Sequence, residues 1–152
     1  PVTYKLVNEK PQYNSIAWYP EFSEELFFIH LNTKQNSHNE VIRYRKIKKD
    51  KRSIKEISDL TSEIIKCNNL NEFEEILLEH EKIIGYCIGD KPIKEKYFSG
   101  YDGAIKSLGA WGGDFILATR NQIKYFQNKG LNTILSFDKM IKNTEFKSEQ
   151  PI

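Results

Sequence analysis

Residues 103–119 read Gly-Ala-Ile-Lys-Ser-Leu-Gly-Ala-Trp-Gly-Gly-Asp-Phe-Ile-Leu-Ala-Thr, and this stretch decides the fold class. Apolar residues on both sides of Gly112-Gly113 predict two strands, over 104–111 and 114–119. A Gly-Gly pair suits a two-residue hairpin turn, because both positions take positive φ without a Cβ clash. The stretch therefore reads as an antiparallel hairpin late in the chain.

Upstream, residues 2–7 alternate with period two and predict a strand. Residues 15–19 predict another, with Ile16 and Trp18 on one face and Pro11 and Pro20 in the flanking loops. The apolar run 26–31 (LFFIHL) predicts a buried strand. Helical signals follow. Ser37-x-x-Glu40 and Ser53-x-x-Glu56 have the form of capping boxes, opening helices at about 38–48 and from Ser53 onward. Ile54, Ile57, Leu60, Ile64 and Ile65 supply the second helix's apolar stripe. Asn71, with Glu74 reaching back, predicts the start of a third helix with stripe Phe73, Leu77, His80 and Ile84. Asp90 and Pro92 predict a short fourth helix. Downstream of the hairpin, Thr119-x-x-Gln122 predicts a long helix ending at Gly130, and residues 132–137 a final strand. Strands and helices are segregated rather than strictly alternating, which makes the class α+β.

The chain's 152 residues suit one domain, 1–152. A net charge of +2, from 23 basic and 21 acidic residues, gives no strong field for nucleic acid or an anionic membrane. No apolar run approaches the roughly 20 residues that span a bilayer. Cys67 and Cys87 form no C-x-x-C pair and read as reduced, buried thiols of a cytoplasmic protein. The chain opens on Pro1, and its only Met is Met140, so it reads as a piece of a longer protein.

The candidate chemistry gathers in two places. Lys106, Ser107, Gly109, Ala110, Trp111, Gly112, Gly113 and Asp114 form a phosphate- or substrate-facing loop: bare backbone N–H groups cradle anions, and Lys106 adds a cation. The plain alternative is a hairpin turn. Trp111 is either a core anchor or a stacking platform. Lys34, Gln35, Asn36 and Ser37 follow the apolar strand and lead into a helix N-terminus, where anions are favoured, with ordinary capping by Ser37 as the alternative. His30, His38 and His80 make no metal signature, and no metal site is predicted. No G-x-S-x-G or Walker element occurs.

The segment 103–118 resembles the third motif of the GHMP kinase superfamily, which includes galactokinase, homoserine kinase and mevalonate kinase. Lys106, Gly109, Ala110, Gly112 and Gly113 match it, while Trp111 and Asp114 replace small residues. The strand 26–31 and the helix 73–84 resemble the elements that precede that motif. The likeness covers roughly residues 15–140 and is nearest a bacterial mevalonate-kinase-like branch with a Gly-Tyr-Asp signature. It implies a ferredoxin-like C-terminal domain, an antiparallel sheet with helices on one face. The function implied is the substrate-side half of an ATP-dependent kinase that phosphorylates an alcohol. ATP and Mg²⁺ would be held mainly by an N-terminal domain that this sequence does not contain, so no catalytic residue is expected here and the isolated chain is expected to be inactive. Expected partners are that domain, a small-molecule substrate and, through uncovered apolar surface, other copies of the chain. Two alternatives stay open: an ATP-dependent decarboxylase of the same superfamily, and a non-catalytic ferredoxin-like module that binds a ligand or partner.

Overall fold

The computed structural model describes residues 2–33, 42, 45, 50–109 and 113–141. The segment Lys34–Ser37, the helix expected over 38–48 (apart from Ile42 and Arg45), and Ala110, Trp111 and Gly112 lie outside the described residues.

The chain begins with a hairpin of β1 (Val2–Val7) and β2 (Lys10–Ser15), in register Tyr4↔Tyr13. Asn8 and Glu9 join them, both at positive φ (50° and 63°), the geometry of a two-residue turn that matches strand twist. The strand expected over 15–19 does not form, and residues 16–19 belong to no regular element. The second strand lies earlier and runs through Pro11, which a two-stranded sheet tolerates because every strand is an edge. Trp18 is instead a half-buried side chain packed against the core, stacked on Phe73 with ring centroids 6.1 Å apart.

A four-stranded sheet forms the body. Its strands are β3 (Leu26–His30), β4 (Ile105–Ser107), β5 (Phe115–Thr119) and β6 (Ile134–Ser136). Their spatial order is β4-β5-β3-β6, and all neighbours are antiparallel. Between β3 and β4 run α1 (Lys51–Ile64), α2 (Leu70–Ile88) and the short α3 (Ile93–Tyr97). Between β5 and β6 lies α4 (Ile123–Gln127), and α5 (Phe137–Met140) follows β6. The class is α+β, and the strand order with its two strand–helix–strand crossovers is compatible with a ferredoxin-like arrangement.

Strand alternation splits the core in two. Leu135, Phe28, Leu117 and Lys106 form one row across the sheet, facing Phe73, Ile76 and Leu77 of α2. Each such buried large apolar side chain contributes roughly 1.5–3 kcal/mol. Ile29, Ile116 and Ile105 point the other way, against Ile93, Phe98, Tyr101 and Phe126. Helical cover therefore lies on both faces of the sheet rather than one, with α2 on the first and α3 and α4 on the second.

Helix starts differ from expectation for a common reason, competition among nearby polar side chains for the free N–H groups. Asp50, not Ser53, caps α1, accepting from the N–H groups of Arg52 and Ser53. Asn69, not Asn71, caps α2, accepting from Glu72 N–H at 2.9 Å. Thr119 caps nothing. It is the last residue of β5, and the long helix expected behind it shortens to α4.

Candidate functional site

Lys106 ends the apolar row of the sheet face beneath α2. Its stem extends the row, and its ammonium meets two consecutive residues of α2. Nζ lies 3.3 Å from Oε1 of Glu81 and 3.1 Å from Nδ1 of His80. Glu81 is 1% exposed and Lys106 20% exposed at the side chain. Burial is the main influence on all three groups. It pulls the Lys106 ammonium below its ordinary range, against the carboxylate of Glu81. It pushes Glu81 up, against Lys106 and the Ser107 backbone and hydroxyl. Burial, then the charge of Lys106, pulls His80 down to about 4, so the ring is neutral at pH 7. Oε2 of Glu81 is buried with no hydrogen-bond partner among the described residues. Such an orphan is uncommon in a folded interior.

The loop after β4 is wider than a two-residue turn. The strands stop at Ser107 and Phe115, and Leu108 N–H donates to Phe115 O at 3.1 Å to close the neck. Gly109 has φ +73°, which ends strand geometry there. Gly113 is needed for a different reason: a Cβ on it would stand 2.1 Å from the carbonyl oxygen of Leu108. The predicted strand boundaries at 111 and 114 are thus moved outward by conformation at one glycine and close approach at the other. Ser107 is buried next to Lys106 on β4, where its backbone and hydroxyl act on the Glu81 carboxyl. Asp114 sits in the loop, where its carbonyl accepts from Leu31 N–H at 2.8 Å and ties the loop to the end of β3.

A second polar cluster stands at the far end of β5. Arg120, at φ +62°, places its guanidinium across Glu74, with Nε 2.9 Å from Oε1 and Nη2 2.8 Å from Oε2. Thr119 Oγ1 donates to Glu74 and accepts from Ala104 N–H at 2.8 Å. Tyr101 Oη donates to the carbonyls of Thr119 and Arg120. Hydrogen bonds from Arg120 and Thr119 outweigh the burial of Glu74 and hold its carboxyl below the usual range. This network locks the 101–104 turn, α2 and β5 together, with Nε, Nη1 and Nη2 of Arg120 each donating to a carboxylate.

Sequence reading picked Lys106 but missed Glu81, Glu74 and Arg120, and it placed His80 as part of an apolar stripe. A signal existed. Glu74 and Glu81 are seven residues apart on α2, on the same side as Leu77, so the helix carries two carboxylates at core positions. A shallow cavity of about 370 Å³ between α1 and α2, lined by Asp50, Ser53, Glu56, Lys82 and Tyr86 among others, contains none of the expected site residues. Its charged groups pair along their own helices, as Arg52–Glu56 and Lys82–Glu79.

Among the described residues, no three His, Cys, Asp or Glu side chains converge as a metal-binding group. No described helix is long and apolar enough to cross a membrane. No protein-family model, curated protein or solved structure matches the chain.

Proposed function

We propose that this chain is the substrate-side half of an ATP-dependent small-molecule kinase, contributing Lys106 and the 107–114 loop to a site completed by another domain of the same protein. The observation that carries the proposal is the pairing of a built cation with a stripped loop. Lys106 is anchored on two sides at the entrance to a loop whose backbone at Gly113 admits no side chain. Phosphoryl transfer asks little covalent chemistry of the protein and mostly needs positioning and charge stabilisation. A fixed ammonium beside bare backbone supplies both. The strand order supports the reading further, because it is the one that the motif resemblance implies. ATP and Mg²⁺ would be held chiefly by the other domain, and the acceptor would be an alcohol.

The test is phosphoryl transfer from ATP to alcohol acceptors by the full-length protein, with Lys106→Met and Gly113→Val as variants. The expected result is turnover in the parent and a loss of about a hundredfold or more in each variant, the scale of removing one preorganised stabilising group. Tight ATP binding by the isolated 152-residue chain would contradict the proposal, since it would place the nucleotide site here.

A further inference from the structure

The Lys106 cluster leaves donors over. An ammonium has three N–H donors and no acceptor. Glu81 Oε1 and His80 Nδ1 take two of them. Because Lys106 can only donate, His80 Nδ1 must accept, which assigns the ring proton to Nε2. No described residue pairs with Nε2, and it is not among the buried unpartnered atoms. The carboxylate is the buried member of the cluster, at 1% exposure. The two members that keep some exposure, Lys106 at 20% of its side chain and the half-buried His80, are hydrogen-bond donors, one of them cationic.

We propose that Lys106 and His80 together form a binding site for an oxyanion, a phosphate or carboxylate group, with Glu81 as the positioning residue that holds the ammonium in place. Glu81 and His80 are adjacent on α2, so one turn of helix fixes both contacts to Lys106 on β4. If the ammonium swings to solvent, Glu81 is left either charged and alone in the interior or forced to take up a proton, and both are costly at neutral pH. A lysine so held presents its last N–H in one direction, and the neutral imidazole adds a second donor without adding charge. Charge-assisted hydrogen bonds of this kind are the stronger class. The site stands on this geometry and not on phosphoryl transfer. Anion binding without turnover would leave it intact and remove the kinase reading, and turnover with no anion at His80 would do the reverse.

The experiment is a proton NMR titration of the full chain with sodium phosphate, and separately with sodium acetate, each against sodium chloride at matched ionic strength. The chain has three histidines, His30, His38 and His80, so its ring signals are few enough to assign with a His80→Asn variant. The expected result is a saturable shift of the His80 ring signals, with affinity on the order of millimolar for a free ion. Saturation by phosphate alone marks a phosphoryl site, and saturation by acetate as well marks a general oxyanion site. Lys106→Met should weaken the shift by about tenfold or more, the scale of one hydrogen bond to a charged group. If Lys106→Met does not fold, His80→Asn serves instead, and phosphate should raise its unfolding midpoint less than that of the parent. No saturable shift with either anion would overturn the site, as would a Lys106→Met chain, or in its place a His80→Asn chain, that responds as the parent does.

Discussion

Removing the ammonium of Lys106 should destabilise the chain strongly at neutral pH and weakly in mild acid. At the observed 3.3 Å, a pair of charges in surroundings of effective dielectric about 20 is worth about 5 kcal/mol. Lys106→Met forfeits that attraction, but Glu81 has an escape. It can take up a proton, at about 1.4 kcal/mol for each pH unit above its ordinary value of 4.5. The smaller cost wins, so the loss is capped at about 3.5 kcal/mol at pH 7 and about 0.7 kcal/mol at pH 5. The sign is fixed by linkage. A carboxyl whose folded pKa is raised gives stability that is fully present below its unfolded pKa and is lost as pH rises through its folded pKa. Without Lys106 the folded pKa of Glu81 rises further, so the variant's deficit grows with pH. His80 acts in the same sense. Its depressed pKa makes the folded state lose stability as pH falls from 6.5 through about 4. Lys106 is one cause of that depression, so its removal relieves the acid-side cost. Urea denaturation between pH 5 and pH 8, followed by tryptophan fluorescence, measures the difference. Trp18 reports on this core because it packs on Phe73 and Phe137. A deficit that is flat with pH, or that grows as pH falls, would refute the argument.

Four further outcomes are expected. Gly109→Ala meets no atom of the described residues within 4 Å but keeps φ at +73°, so it should cost about 1 kcal/mol. Gly113→Ala must move a Cβ off the Leu108 carbonyl at 2.1 Å. It should cost about 2–3 kcal/mol, and equal midpoints in urea for the two variants would contradict the steric account of the loop. Thr119→Val keeps the shape of a fully buried side chain but leaves Glu74 and the Ala104 N–H short of a partner; a loss of about 2 kcal/mol is expected, and a change under half of that would show that Thr119 is dispensable to the network. The hairpin exposes Val2, Tyr4, Leu6 and Tyr13, each more than half open, on one face. Isolated two-stranded sheets are marginal in water, so sedimentation velocity should show self-association that Tyr4→Ser with Tyr13→Ser reduces; identical behaviour of the two chains would remove the hairpin as the contact.

Periodicity carried the fold a long way. Strands β1, β3 and β6 and the apolar stripe of α2 follow from alternation and helical spacing alone, and the α+β class follows from their order. Boundaries were less legible. They depend on which of several polar residues wins a capping contact, and Asp50 and Asn69 win because the chain path brings their oxygens to the free N–H groups. The placement of helices on both sheet faces rests on Phe126 and Phe98, whose partners are distant in sequence. At the site, Lys106 and the glycines were visible as a local motif. Glu81 was not, because an acidic residue on a helix is usually solvated, and only the register of β4 against β5 puts Lys106 beneath it. The two glycines also do different work from that expected, one through its φ and one through a close contact.

The most direct measurement is ATP-dependent phosphorylation of an alcohol acceptor by the full-length protein, compared with its Gly113→Ala variant. A side chain at 113 disturbs the loop without touching the Lys106 cluster or the nucleotide site expected elsewhere. The proposal predicts turnover in the parent and a fall of about a hundredfold or more in kcat for the variant, with the fold retained. Equal kcat in the two proteins, or a parent with no phosphoryl transfer to any alcohol, would contradict it.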